Sequence, residues 1–190
     1  MADAKRTNRL ILHKTVVMVG MMGAGKTAVG RALANRLAVP FRDSDHEIEQ
    51  AANMTIAEIF ERDGEPFFRR KESQVIDRLL DGTPCVLSTG GGAFMSADNR
   101  QGISQKGVSV WLDADLEVLW NRVRHKDTRP LLRSADPKGT LAALYEKRVP
   151  LYRLADITVT SRADRTLDEM ARLVCDTLLE TRPDVLEALE

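Results

Sequence analysis

The chain has 190 residues, 43% of them hydrophobic and 29% charged, long enough to bury the core of one domain without disulfide or metal staples. Its twenty-eight basic residues balance twenty-eight acidic ones, so no overall field draws it to nucleic acid or to an anionic membrane. Any anion site is therefore local. Residues 1–14 read as a polar leader, in which Leu10-Ile11-Leu12 is too short for a signal sequence and runs into His13-Lys14. No run approaches transmembrane length, so a cytoplasmic protein is expected. From Thr15 onward strands and helices alternate without repeats or linkers, which implies one α/β domain over 1–190, a parallel sheet with helices on both faces. The predicted strands are 15–20, 40–43, 84–88, 108–112 and 156–160, mostly continuous apolar runs as buried parallel strands are. The predicted helices are 26–37, 45–51, 56–62, 65–80, 96–105, 115–124, 140–152 and 166–180, the last ended by Pro183. Between 126 and 138 lies a polar segment without periodicity, the kind of loop that often serves as a lid. Cys85 and Cys175 have no metal or redox spacing and read as core residues.

The sharpest chemical signal is Gly20-Met21-Met22-Gly23-Ala24-Gly25-Lys26-Thr27, between the first apolar strand and the first helix. It fits G-x-x-x-x-G-K-[ST], in which small residues let successive backbone N–H groups turn inward around a polyphosphate at the positive end of a helix. Gly23, Ala24, Gly25, Lys26, Thr27 and Ala28 are expected to surround a nucleoside triphosphate. Lys26 would reach the β- and γ-phosphates, and the Thr27 hydroxyl would serve Mg²⁺.

Further along, Phe41-Arg42-Asp43-Ser44-Asp45 places two aspartates two residues apart, on one side of an extended chain. Two readings fit. One carboxylate holds Mg²⁺ while the other takes a proton from a hydroxyl acceptor; alternatively Asp45 caps the next helix and Asp43 is solvated. Arg69 and Glu72 stand i, i+3 on a helix and can pair. Gly90-Gly91-Gly92 follows a strand, so something approaches that backbone closely. Asp113-Ala114-Asp115 is explained by helix capping, and Trp111 and Trp120 by packing. His13, His46 and His125 have no paired nucleophile or ligand spacing.

Taken together, the glycine loop, Asp43-x-Asp45, Phe68-Arg69-x-x-Glu72, Gly90-Gly91-Gly92, Arg129-Pro130-Leu131-Leu132 and Arg148-x-Pro150-Leu151-Tyr152 resemble the shikimate kinase family, with order and spacing matching from about Val16 to Thr160. The resemblance implies a three-layer α/β/α P-loop fold like that of the nucleoside monophosphate kinases, built on a five-stranded parallel sheet. It implies a substrate-binding segment at about 45–80 and a lid at about 124–138. It implies transfer of the γ-phosphoryl of ATP to the 3-hydroxyl of shikimate, with one Mg²⁺. Carried over by position, Lys26, Asp45 and Arg129 are the catalytic residues, Asp45 as base and Arg129 closing over the transferring phosphate. Thr27 and Asp43 serve the metal, and Arg122 stacks on adenine. Asp45, Arg69, Arg148 and the Gly91 backbone bind shikimate, the two arginines through its carboxylate. The chain departs from members that place a proline against adenine after the final strand, since it reads Arg162-Ala163-Asp164-Arg165-Thr166. A monomer is expected, with ATP and shikimate as its partners. The competing readings are a gluconate kinase and a nucleotide-dependent regulatory module without phosphotransfer. Asp45 with Arg69 and Arg148 argues against the module, because a switch has no use for an acceptor pocket.

Overall fold

The computed structural model describes residues 9–125 and 134–189. Its elements follow one another as β1 (Arg9–Leu12), β2 (Thr15–Val19), α1 (Lys26–Leu37), β3 (Phe41–Asp43), α2 (Ser44–Ala52), α3 (Ile56–Asp63), α4 (Glu65–Leu80), β4 (Val86–Ser88), a 3-10 turn (Ala93–Met95), α5 (Ala97–Lys106), β5 (Gly107–Asp113), α6 (Leu116–Val123), α7 (Pro137–Tyr152), β6 (Ile157–Thr160), α8 (Leu167–Thr181) and β7 (Leu186–Leu189). Five of the strands form one parallel sheet in the order β3-β4-β2-β5-β6. β2 lies at its centre and is buried along its whole length, which is why it reads as an unbroken apolar run rather than an alternating one. All five carboxyl ends point the same way, so the loops leaving β2, β3, β4 and β5 gather at one rim, where ligands of such sheets bind.

The main core fills both faces of the sheet, from Val16, Val17 and Met18 through Leu33, Leu87 and Val110 to Val174 and Leu178. Both cysteines are buried and free, and Trp111 is buried. A second apolar cluster, Ile48, Ile59, Phe68 and Val75, joins α2, α3 and α4 beside the sheet. Phe60 and Phe68 meet there with ring centroids 4.8 Å apart. Burying the Phe68 side chain contributes about 1.5–3 kcal/mol and fixes the rotation of α4, hence the direction of Arg69 and Glu72 on the same helix. The helix starts are chemically marked: Thr55 and Thr166 each form a capping box, with Glu58 and Glu169 respectively.

Three expectations need correction. Residues 9–12 are not part of a polar leader: β1 pairs antiparallel with β7, Arg9 opposite Leu189 and Leu12 opposite Leu186, because Leu10 and Leu12 pack on the main core. α7 begins at Pro137 rather than at 140, since the Asp136 carboxylate accepts the Gly139 N–H and Pro137 suits a first turn. Asp115 occupies the cap position of α6 but its side chain makes no cap hydrogen bond, so capping does not account for that aspartate.

Candidate active site

The loop from Gly20 to Gly25 joins β2 to α1 at the centre of the rim. Gly23 has φ +82° and Gly25 φ +97°, left-handed conformations that only glycine adopts freely. An added Cβ on Gly23 would also stand 2.7 Å from Val123 Cγ1, so α6 lies directly beneath the loop. Lys26, the first residue of α1, donates from Nζ to the Gly20 and Met21 carbonyls at 2.8 and 2.9 Å. Thr27 and Ala28 follow on the exposed face of the first helical turn.

Next to the loop, β3 stops at Asp43 and the chain turns at once into α2. The Asp43 Oδ1 accepts the backbone N–H groups of Asp45 and His46 at 3.1 and 3.3 Å, and Oδ2 accepts the Thr27 hydroxyl at 3.3 Å. Ser88, at the end of β4, lies 3.3 Å from the same Thr27 hydroxyl. The two aspartates are therefore not paired along an extended strand. Nor does Asp45 cap the helix: Asp43 does, and Asp45 is the second residue of the helix itself. Asp45 is pushed up to about 6, first by burial and then by the negative charge of Asp43, with Lys26 pulling the other way.

The three glycines after β4 are each pressed by a different side chain. A Cβ on Gly90 would stand 2.9 Å from Asp45 Oδ1 and 3.2 Å from Glu72 Oε1. On Gly91 it would stand 3.0 Å from Arg148 Nη1, and on Gly92 it would run into the Arg69 guanidinium at 2.5 Å. The close approach anticipated for this backbone is thus made by two carboxylates and two guanidinium groups, which this stretch brings together from α2, α4 and α7. Arg69 donates to Glu72 at 2.7 Å and to Glu65 at 3.1 Å. Burial works against its charge, but those two carboxylates more than offset it and raise its pKa. Burial likewise holds Glu72 above the usual carboxylate range despite Arg69.

Among the described residues, Asp45 Oδ1 and Glu72 Oε1 are buried oxygens with no hydrogen-bond partner. Two orphaned acceptors beside one glycine are costly unless a ligand brings donors to them.

Tyr152 stands one turn beyond Arg148 on α7 and is fully buried, stacked on Trp111 with its hydroxyl donating to the Gly91 carbonyl at 2.5 Å. Burial raises its pKa to about 12, so it stays a neutral donor. It belongs to the Arg148-x-Pro150-Leu151-Tyr152 motif, yet nothing in the sequence spacing reveals this contact. Arg122 Nη1 donates to the carbonyls of Gly23 and Ala24 at 3.2 and 3.4 Å and to Ser161 Oγ at 3.1 Å; burial lowers its pKa. Ser161 was invisible to sequence reasoning, being one hydroxyl in a polar stretch. Arg129 and residues 126–133 of the expected lid lie outside the described residues. A groove of about 280 Å³ between α4 and α5 carries Asp77 and Asp98, the wrong sign for a phosphate or carboxylate ligand. The rim is the better anion site.

A glycine loop with its lysine at the centre of a parallel sheet, facing a raised carboxyl and two convergent arginines, defines a P-loop kinase. A family model described as shikimate kinase matches residues 22–179. The chain is 71% identical over 176 residues to a shikimate kinase of Ruegeria pomeroyi, covering 93% of this chain and 90% of that one. A solved shikimate kinase from Acinetobacter baumannii, in complex with shikimate, has a TM-score of 0.82 at 38% identity, with 89% of this chain and 94% of that chain covered. The chain belongs to the shikimate kinase family. A gluconokinase from Sinorhizobium meliloti has a TM-score of 0.55 at 17% identity over 90% of this chain and 99% of that one, a likeness of fold alone. The gluconate kinase reading is accordingly set aside in favour of the family's.

Proposed function

We propose that this chain transfers the γ-phosphoryl group of ATP to the 3-hydroxyl of shikimate, giving shikimate 3-phosphate and ADP. The observation that carries the acceptor is that orphaned oxygens on Asp45 and Glu72 lie beside the guanidinium groups of Arg69 and Arg148 along Gly90-Gly91-Gly92. Orphaned acceptors suit ligand hydroxyls, and two cationic forks suit one planar carboxylate. A small polyhydroxy acid meets both demands.

In the reaction, the acceptor O–H gives its proton to the Asp45 carboxylate, which at neutral pH is mostly ionised yet basic enough to take it. The freed oxygen bonds to the γ-phosphorus as the bond to the bridging oxygen breaks and ADP leaves. Lys26 and the N–H groups from Gly23 to Ala28 offset the charge that builds up on the phosphates. Arg129 would close over the same group as part of a lid at about 124–138, and 45–80 would form the substrate-binding segment of a single domain. Thr27 and Asp43, a hydroxyl and a carboxylate joined at 3.3 Å, are the oxygen donors that would hold Mg²⁺, an ion commonly bound by one or two protein oxygens together with substrate phosphates. Among the described residues no three His, Cys, Asp or Glu side chains converge, and an ion held this way needs no such cage. When bound it would spread the charge of the β- and γ-phosphates. We further infer a cytoplasmic monomer with no nucleic-acid or membrane partner; the balanced charge, which sets up no overall field toward a polyanion or an anionic membrane, supports the absence of those two partners. Among the described residues no helix is long and apolar enough to cross a membrane.

Release of ADP measured with shikimate, with gluconate, with a nucleoside monophosphate and with no acceptor tests the reading. Turnover with shikimate alone is expected. Faster turnover with either other acceptor, or ADP release that ignores the acceptor, would refute it.

A further inference from the structure

The end of β6 holds a contact to the phosphate-binding loop that the reaction scheme leaves unused. Ser161 is buried, 4% exposed, and its backbone N–H donates to the Asp113 carbonyl at 2.6 Å, which ties it to the end of β5. Its hydroxyl lies 3.1 Å from Arg122 Nη1 and 3.3 Å from the Ala24 carbonyl. A guanidinium only donates, so the hydroxyl accepts from Arg122 and its single proton is directed to Ala24. Arg122 Nη1 reaches the carbonyls of Gly23 and Ala24 as well, and Nη2 reaches that of Arg162 at 3.3 Å. One serine and one arginine therefore grip the outer side of the loop, from β6 and α6.

The consequence follows from peptide geometry. In a planar trans peptide the C=O and the following N–H point in opposite directions. Holding the Ala24 carbonyl outward turns the N–H of Gly25 inward, at the start of α1, where the first backbone donors have no partner within the helix. We propose that Ser161, acting with Arg122, is a positioning residue of the phosphate-binding loop, holding the Ala24–Gly25 peptide with its N–H toward the polyphosphate. The proposal rests on the assignment of this loop to ATP. It gives Arg122 a task on the phosphate side, in addition to the adenine side implied by family resemblance.

The two sides are separated by a ligand that has phosphates and no base. Titration calorimetry with ATP and with inorganic tripolyphosphate, each with Mg²⁺, compares the wild-type protein with Ser161→Ala. Loss of one hydrogen bond to the loop should weaken both ligands by the same factor, about 2- to 12-fold. In steady-state kinetics KM for ATP should rise while KM for shikimate stays put, a split that a general loss of folding would not produce. Ser161→Thr, which keeps the hydroxyl, should bind both ligands as the wild type does. Ser161→Cys, of the same shape with a feeble donor, repeats the comparison should the alanine variant fail to fold. If ATP weakens while tripolyphosphate does not, Ser161 serves the base and the proposal is wrong. It is equally wrong if neither ligand weakens, or if threonine loses as much as alanine. Failure of the wild-type protein to bind tripolyphosphate while it still phosphorylates shikimate would overturn the proposal and leave the acceptor assignment standing. Failure of both would remove the phosphate assignment itself.

Discussion

Replacing Asp45 with asparagine should separate what the fold needs from what catalysis needs. The side chain keeps its shape, but the carboxyl that burial and Asp43 hold up at about 6, against an ordinary 3.8, no longer titrates. A raised carboxyl means that the folded protein binds the proton more tightly than the unfolded chain. The stability this proton confers is full below about pH 3.8 and is lost as the pH rises through about 6. The difference of about 2 pH units, at about 1.4 kcal/mol each, corresponds to about 3 kcal/mol. Wild-type protein should therefore lose up to about 3 kcal/mol relative to Asp45→Asn between about pH 4 and pH 7. Glu72 carries part of this, because the Asp45 charge raises its pKa too and the substitution relieves it. Urea denaturation of both proteins across this range gives the difference directly. At neutral pH the asparagine variant should be the more stable and should turn over about 10²- to 10⁴-fold more slowly, as expected for a lost general base. Parallel stability curves would show that Asp45 is not held in an unfavourable ionised state, and near-normal turnover would show that it is not the base.

Lys26→Ala should lower kcat by about 10²- to 10³-fold while the fold survives, checked by circular dichroism beside the assay; near-normal turnover would remove the lysine from the phosphate site. Arg69→Ala and Arg148→Ala should each reduce kcat/KM for shikimate about 30- to 5,000-fold, with KM for ATP moving much less. Shikimate methyl ester should be nearly as poor with the wild-type protein, and the arginine changes should cost it little more, since charge lost on either side removes the same interaction. An ester as good as the acid would mean that these arginines do not read a carboxylate. Gly92→Ala places a methyl group where the Arg69 guanidinium now lies. The flexible arginine should give way, leaving the melting temperature nearly unchanged while kcat/KM for shikimate falls by up to about 100-fold.

Much of this was legible in the sequence because the signals were local. Buried parallel strands are apolar runs, and α1 and α4 occupy their expected spans, 26–37 and 65–80. The triple glycine announced a close approach without saying what approaches, since Asp45, Glu72, Arg69 and Arg148 arrive from three separate helices. Asp43-x-Asp45 was found as a motif but read with the wrong backbone: strand geometry was assumed where the Asp43 side chain, by capping α2, ends the strand at that residue. The contacts of Tyr152 and Ser161 had no local signature, because each depends on a carbonyl brought in from a distant loop. β1 and β7 escaped for the same reason. Four residues of ordinary pattern become a strand only when their partner is known.

That pairing bears on how the chain is made. His13 and Glu187, bonded at the end of the small sheet, are 174 positions apart, so β1 leaves a ribosome long before β7 and must wait for it before the two can pair. During synthesis the five-stranded sheet can assemble while β1 stays open, an unpaired edge with Leu10 and Leu12 beside it.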